Sequence, residues 1–255
     1  MLRALIICVL LATSLSAQEI AMRDLIDRYV ADRALLERRW DIPLSNRAHQ
    51  RRVKFLDQWI KTASAIDFAT LDQDSKVDAI LFANRLKKDK AALNLAANRR
   101  SQMDSLLGFG SHLAKLIEQQ KDMVEPDGKA VAEALNTALA DLKKTRRLVN
   151  KDKTKAVVAY RAASELDRLH RALGRWFDFR KGYDPQFSWW VKKPHATLRG
   201  ALKSYAKFLR GEIAGVGADE TDALIGDPIG KDALIEALRL EFIPYTPEEL
   251  ITIAE

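Results

Sequence analysis

The chain has 255 residues, with 42 lysines and arginines against 35 aspartates and glutamates, a formal charge of +7. Its single cysteine, Cys8, rules out an internal disulfide framework and a cysteine metal cage. Cations and acids are interleaved along most of the length, without repeats or low-complexity linkers, so the chain reads as a folded region long enough for a substantial core.

The N-terminus reads as a secretory signal peptide over residues 1–17. Arg3 precedes an apolar run over residues 4–15 that is interrupted only by Thr13 and Ser14, and Ser16 or Ala17 offers a small residue for cleavage. The run is shorter than the roughly 20 residues of a spanning helix. The expectation is therefore an exported protein, periplasmic or secreted, with no stable membrane insertion once the segment is removed. Cys8 would leave with it.

Period-3.6 patterning dominates residues 18–255, and the fold class is all-α, a multi-helix array. Met22, Leu25, Ile26, Tyr29, Leu36 and Trp40 form the first apolar stripe, ended by Pro43. Val53, Leu56, Trp59 and Ile60 mark a second helix. Asp72 or Asp74 can cap a long third one, whose centre, Lys87-Lys88-Asp89-Lys90, must be exposed on most sides. A break falls near Gly108 and Gly110, and a turn at Pro126-Asp127-Gly128. Stripes through Leu135 and Leu142, and through Leu166, Leu169, Leu173 and Trp176, flank a connection near Asn150. Asp184-Pro185 and Asp227-Pro228 each place a capping acid before a first-turn proline, and Pro194 can likewise start the helix carrying Leu198, Leu202, Tyr205 and Leu209. Gly211, Gly215 and Gly217 close that helix. Thr246, Pro247 and Glu249 form an N-cap with a capping box. No terminator follows, so the chain reads as the front part of a larger protein truncated at 255.

The residues alone supply no catalytic set. His49, His112, His170 and His195 have no partner at a metal-binding spacing, and the helical His-Glu-x-x-His pair is absent. Asp167 stands three residues before His170, within hydrogen-bonding reach along a helix. His195, after Pro194, reads as an exposed first-turn residue. There is no Gly-x-Ser-x-Gly elbow. The basic run from Lys143 to Arg147, with Lys151, Lys153 and Lys155, reads as the solvated side of a helix and its connecting loop, the alternative being a patch for an acidic polymer or a membrane surface. It lacks interleaved stacking aromatics, and nucleic acid is not an expected partner. The aromatic-rich segment around Tyr183, Asp184, Phe187, Trp189 and Trp190 reads either as a cleft wall or as an interhelical core plug.

Two stretches carry a resemblance. Residues 182–190 (GYDPQFSWW), and residues 227–234 (DPIGKDAL) leading into 241–250 (EFIPYTPEEL), resemble the bacterial family of exported helical proteins called domain of unknown function 885, relatives of zinc metallopeptidases. The resemblance runs from about Ile20 onward. It implies a zincin-like helical protein that hydrolyses peptides or small amides with zinc-activated water, of which this chain is the non-catalytic N-terminal part. Zinc is expected in the full-length parent, on a helix beyond residue 255, and no cofactor in this fragment. The missing C-terminal half would be its partner. Tyr183, Asp184, Phe187, Trp189, Trp190 and Tyr245 would be core or cleft-wall residues. The alternative is a helical binding or scaffold protein of the cell envelope without enzymatic activity.

Overall fold

A computed structural model describes residues 22–182, 184–217 and 225–255; the signal-like segment and Tyr183 lie outside them. Every regular element among the described residues is helical, and none is a strand. The helices are α1 (Met22–Arg39), α2 (Asn46–Ser64), α3 (Gln73–Ser101), α4 (Asp104–Leu107), α5 (Gly110–Lys121), α6 (Gly128–Leu148), α7 (Ala156–Arg180), α8 (Pro185–Phe208), α9 (Lys231–Leu240) and α10 (Pro247–Ala254). Short polar side chains set several of the starts. Ser45 accepts from Ala48 N at 2.8 Å, Asp72 from Ser75 N at 2.7 Å, and Asp184 from Phe187 N at 2.8 Å. Asp127 caps α6, and Thr246 and Glu249 form the reciprocal capping box of α10. Each such cap contributes about 1 kcal/mol.

Two hydrophobic cores result among the described residues. The smaller joins α1, α2 and α3 through Tyr29, Phe55, Trp59 and Phe82, whose rings meet mostly edge to face, with neighbouring centroids 5.4–6.2 Å apart. The Tyr29 hydroxyl donates to Asp89, and burial followed by that carboxylate raises its pKa well above the usual tyrosine range. Asp89 is therefore not a solvated residue in an exposed stretch. Its side chain is only 14% exposed, with Arg33 and Arg85 on its other side. Of the expected exposed centre of α3, Lys87 alone is fully exposed.

The larger core is built on α4 to α8. In α7, Ala159, Ala162, Ala163 and Ala172 alternate with Leu166, Leu169 and Leu173, and all are buried. Those small residues let neighbouring helices approach closely. Helices α6 and α8 run parallel, because Gly128 at the start of α6 lies against Phe187 and Trp190, while Arg146 near its end bonds Ser204 at 3.1 Å.

Pro194 does not start a helix. It sits inside α8, whose buried stripe of Phe187, Val191, His195, Leu198, Leu202 and Tyr205 runs straight past it. A proline within a helix costs about 3 kcal/mol, whereas each fully buried large apolar side chain contributes about 1.5–3 kcal/mol. Packing wins. His195 is consequently not an exposed first-turn residue. It is 5% exposed, stacked on Phe177 with centroids 4.4 Å apart, and its Nε2–H donates to the Leu173 carbonyl at 3.0 Å. Asp167 turns away from His170 to pair with Arg210 at 2.7 Å, and His170 Nδ1 faces Arg199 instead. Helix α8 passes into a π turn (Leu209–Ile213), and Gly215, with φ of 75°, ends it. Asp227 caps nothing, since α9 begins at Lys231 behind Gly230. No helix among the described residues is long and apolar enough to cross a membrane.

Burial holds the His195 imidazole below its ordinary pKa, against the opposing pull of the Leu173 carbonyl. The fold therefore favours the neutral ring, and the unfolded chain takes up this proton first as pH falls. Stability is complete above the ordinary histidine value of about 6.5 and declines as pH drops through it toward the folded value. Thermal midpoints should fall between about pH 7.5 and about pH 5, and His195→Gln, which keeps a donor for Leu173, should flatten part of that slope. His49 and His170, also lowered by burial, supply the remainder. A slope unchanged by the substitution would refute the assignment.

Candidate functional site

The aromatic segment divides between core and surface. Phe187 is buried against Trp176 and Phe177, and Asp184 is occupied as the cap of α8. Trp190 is partly buried against the larger core, with Trp189 edge-on to it at 4.7 Å and 74% exposed. Tyr245 lies exposed between α9 and α10. Helical geometry sends adjacent tryptophans to different surroundings, as their spacing requires. These residues line none of the larger concavities together.

The principal concavity is a cleft of about 860 Å³ at the seam between the two cores. One wall comes from the α1–α2 corner and the second half of α3, the other from the first half of α7, and residues 225–227 run along the rim. Its lining holds five arginines (Arg52, Arg99, Arg100, Arg161 and Arg168) against two carboxylates, Glu165 and Asp227. Ile42, Leu44, Leu93, Met103 and Val157 supply apolar surface beside them.

Arg168 pairs with Glu165 at 2.8 Å and Asp41 at 3.3 Å, and the other four arginines divide into two kinds. Arg52 donates to the Trp40 carbonyl at 3.0 Å, and Arg100 donates to the Leu44 carbonyl, to the Ser45 carbonyl at 3.0 Å and to Asn46 Oδ1 at 2.9 Å. Arg100 thereby ties down a corner in which Leu44 takes a left-handed φ of 59°, a conformation that costs a leucine about 1–2 kcal/mol. Burial lowers the Arg100 pKa, and Asp104 and Glu165 pull it back. Both residues build the wall.

Arg99 and Arg161 face the cleft differently. Asp227 Oδ2 lies 2.8 Å from Arg99 Nη2, and its Oδ1 lies 3.5 Å from Arg161 Nε. That second approach is close enough for charge attraction but does not form a hydrogen bond, so the buried Arg161 Nε has no acceptor among the described residues. The other nitrogens of Arg161 reach Gln102 Oε1 at 2.9 Å and the Arg99 carbonyl at 3.4 Å. Gly226, with φ of 63°, turns the chain so that Asp227 reaches both arginines. His49 also lines the cleft. Burial, and then the charges of Arg100, Arg52 and Lys90, hold it below the usual histidine value, so it is neutral at pH 7.

No protein-family model, no curated protein and no solved structure matches the chain.

The resemblance places its zinc beyond residue 255, and the described residues offer no site for that ion. No group of three His, Cys, Asp or Glu side chains among them can hold a metal ion. His195 is committed to a carbonyl inside the core, and His49 lies among arginines whose charge disfavours a cation. The cleft arginines escaped sequence reasoning because they are spread from position 52 to position 168 and share no spacing.

Arg100 and Arg99, adjacent in sequence, should separate experimentally. Arg100→Met removes charge-assisted bonds to three acceptors and should lower unfolding free energy by about 2–4 kcal/mol. Arg99→Gln loses a part-exposed ion pair and should change stability by less than about 1 kcal/mol. Urea melts of the two variants check this, and equal effects would contradict the division of the arginines into wall-building and Asp227-facing ones.

Proposed function

We propose that this chain is an exported helical binding module of the bacterial cell envelope, whose cleft takes a small ligand with a carboxylate beside an apolar group. Asp227 carries the reading, because a carboxylate of the chain itself occupies the Arg99–Arg161 pair. The cleft volume of about 860 Å³ lies within the roughly 300–1,000 Å³ of ordinary small-ligand sites. An ion pair exposed to this degree is worth about 0–1 kcal/mol, so an incoming anion can displace Asp227. A ligand carboxylate would gain the Arg161 Nε donor, and the apolar wall from Leu44 to Met103 would cover its hydrocarbon part.

Titration calorimetry with an N-acetylated leucyl dipeptide and its C-terminal amide tests the reading. The free carboxylate should bind at least about tenfold tighter than the amide, one charge-assisted contact being worth about 1.5–3 kcal/mol. Arg161→Gln should abolish the difference, and Asp227→Asn, which removes the internal competitor, should tighten binding several-fold. Equal affinity for acid and amide would overturn the proposal.

A second reading is favoured by α9 and α10. Leu234, Ile235, Phe242, Ile243, Ile251 and Ile253 are exposed there, and no side chain of α10 is buried. These helices lie in the stretch that resembles the exported, zinc metallopeptidase-like family. In that reading they support a hydrolase acting on peptides or small amides, and the zinc ligands and general base belong to residues other than those described here. The 255-residue chain supplied with zinc should then bind no stoichiometric metal and hydrolyse no peptide. Metal analysis combined with a peptide-cleavage assay decides, and stoichiometric zinc with turnover would sink it.

A further inference from the structure

A charged surface remains that the cleft does not use. In α6, Lys143, Arg146 and Arg147 stand at three- and four-residue steps and so share one side of the helix. Lys203 and Lys207 are four apart near the end of α8, and Arg146 reaches between them to Ser204 while its guanidinium lies 4.9 Å over the Phe208 ring. Because α6 and α8 are parallel, both sets gather at the same end of the bundle. The connection to α7 adds Lys151, Lys153 and Lys155 there. Lys143, Arg147, Lys151, Lys153, Lys203 and Lys207 are exposed, and no carboxylate among the described residues forms a salt bridge with any of them. Asp141, Asp152 and Glu212 are the nearby acids in sequence, and Asp167 is occupied by Arg210.

Two helix C-termini account for part of this. Each presents about half a negative charge, which one or two cations complement, and the excess here is several times larger. At the tip of the same end Leu148 is 73% exposed, immediately after Arg147. An apolar side chain protruding among cations suits an interface between headgroups and acyl chains. Binding to single-stranded nucleic acid would call for exposed stacking rings, whereas Phe208 is half-buried beneath Arg146.

We propose that this end of the bundle docks on an anionic bilayer surface, its lysines and arginines on the lipid headgroups and Leu148 inserted between them. The contact is peripheral and independent of the cleft.

Co-sedimentation of the full chain with phosphatidylcholine vesicles, with and without about a third phosphatidylglycerol, provides the test. Near-surface cations contribute about 1 kcal/mol each. The anionic vesicles should therefore bind at least about a hundredfold better than neutral ones at low salt, with the preference collapsing above about 0.5 M salt. Replacing Lys143, Arg147, Lys203 and Lys207 together by glutamine should remove that preference without moving the thermal midpoint. Leu148→Ala should weaken binding roughly tenfold. Arg161→Gln should leave it intact, which separates this surface from the ligand cleft. Equal binding to neutral vesicles, retention by the glutamine variant, or tighter binding to a single-stranded oligonucleotide than to anionic vesicles would each overturn the proposal.

Discussion

The molecule is organised around a helix with little surface of its own. Helix α7 buries alanines and leucines over most of its circumference, from Val158 to Phe177. The alanines bring neighbouring backbones close, and the leucines fill what remains. Helix α8 stays continuous through Pro194 because its apolar stripe lies along this surface and along α6. His195 is drawn inside by the same packing, and the Leu173 carbonyl of α7 accepts its hydrogen bond. Without α7 there would be no reason for α8 to continue through Pro194 and none for α6 to lie parallel to it.

The cleft follows from having two cores instead of one. The aromatic core of α1, α2 and α3 has its own set of packed rings, with the Tyr29–Asp89 contact as a polar thread beside them. Helix α3 is long enough to leave that core and reach α7, and its last two turns bring Arg99 and Arg100 to the seam. Arginine suits such a place because its stem covers apolar surface while its planar head satisfies several carbonyls. Arg100 shows this structural use, Arg99 gives its head to the Asp227 carboxylate, and Arg161, held by Gln102 and the Arg99 carbonyl, lies within charge range of it.

Local chemistry was legible from residues alone. The caps at Asp184 and Thr246 stand where short polar side chains and prolines announce them, because a cap involves only four consecutive residues; Asp72 is one of two acids that could cap α3, and Asp127 reads only as part of a turn. The same rule failed at Pro194 and at Asp227. There a partner far away in the chain outweighed the local preference: a buried stripe in one case and two arginines in the other. Asp89 and Asp167 failed for the same reason, each being claimed by a residue from another helix. Of the nominated aromatic residues that are described, Phe187 packs into the larger core and Trp190 against it, and the arginine cleft had no contiguous signature to read.

The contact between Asp227 and Arg99 spans 128 positions of chain. Loop closure is least favourable for contacts of that length, which form only after nearer ones have reduced the entropy lost. The α6–α7–α8 assembly is local and can condense early, and the aromatic core needs only α1 to meet α3. The Asp227 strap is therefore among the last features to be fastened during folding. It is also among the first to be released under mild denaturation, so its arginine pair would open to solvent while both cores still stood.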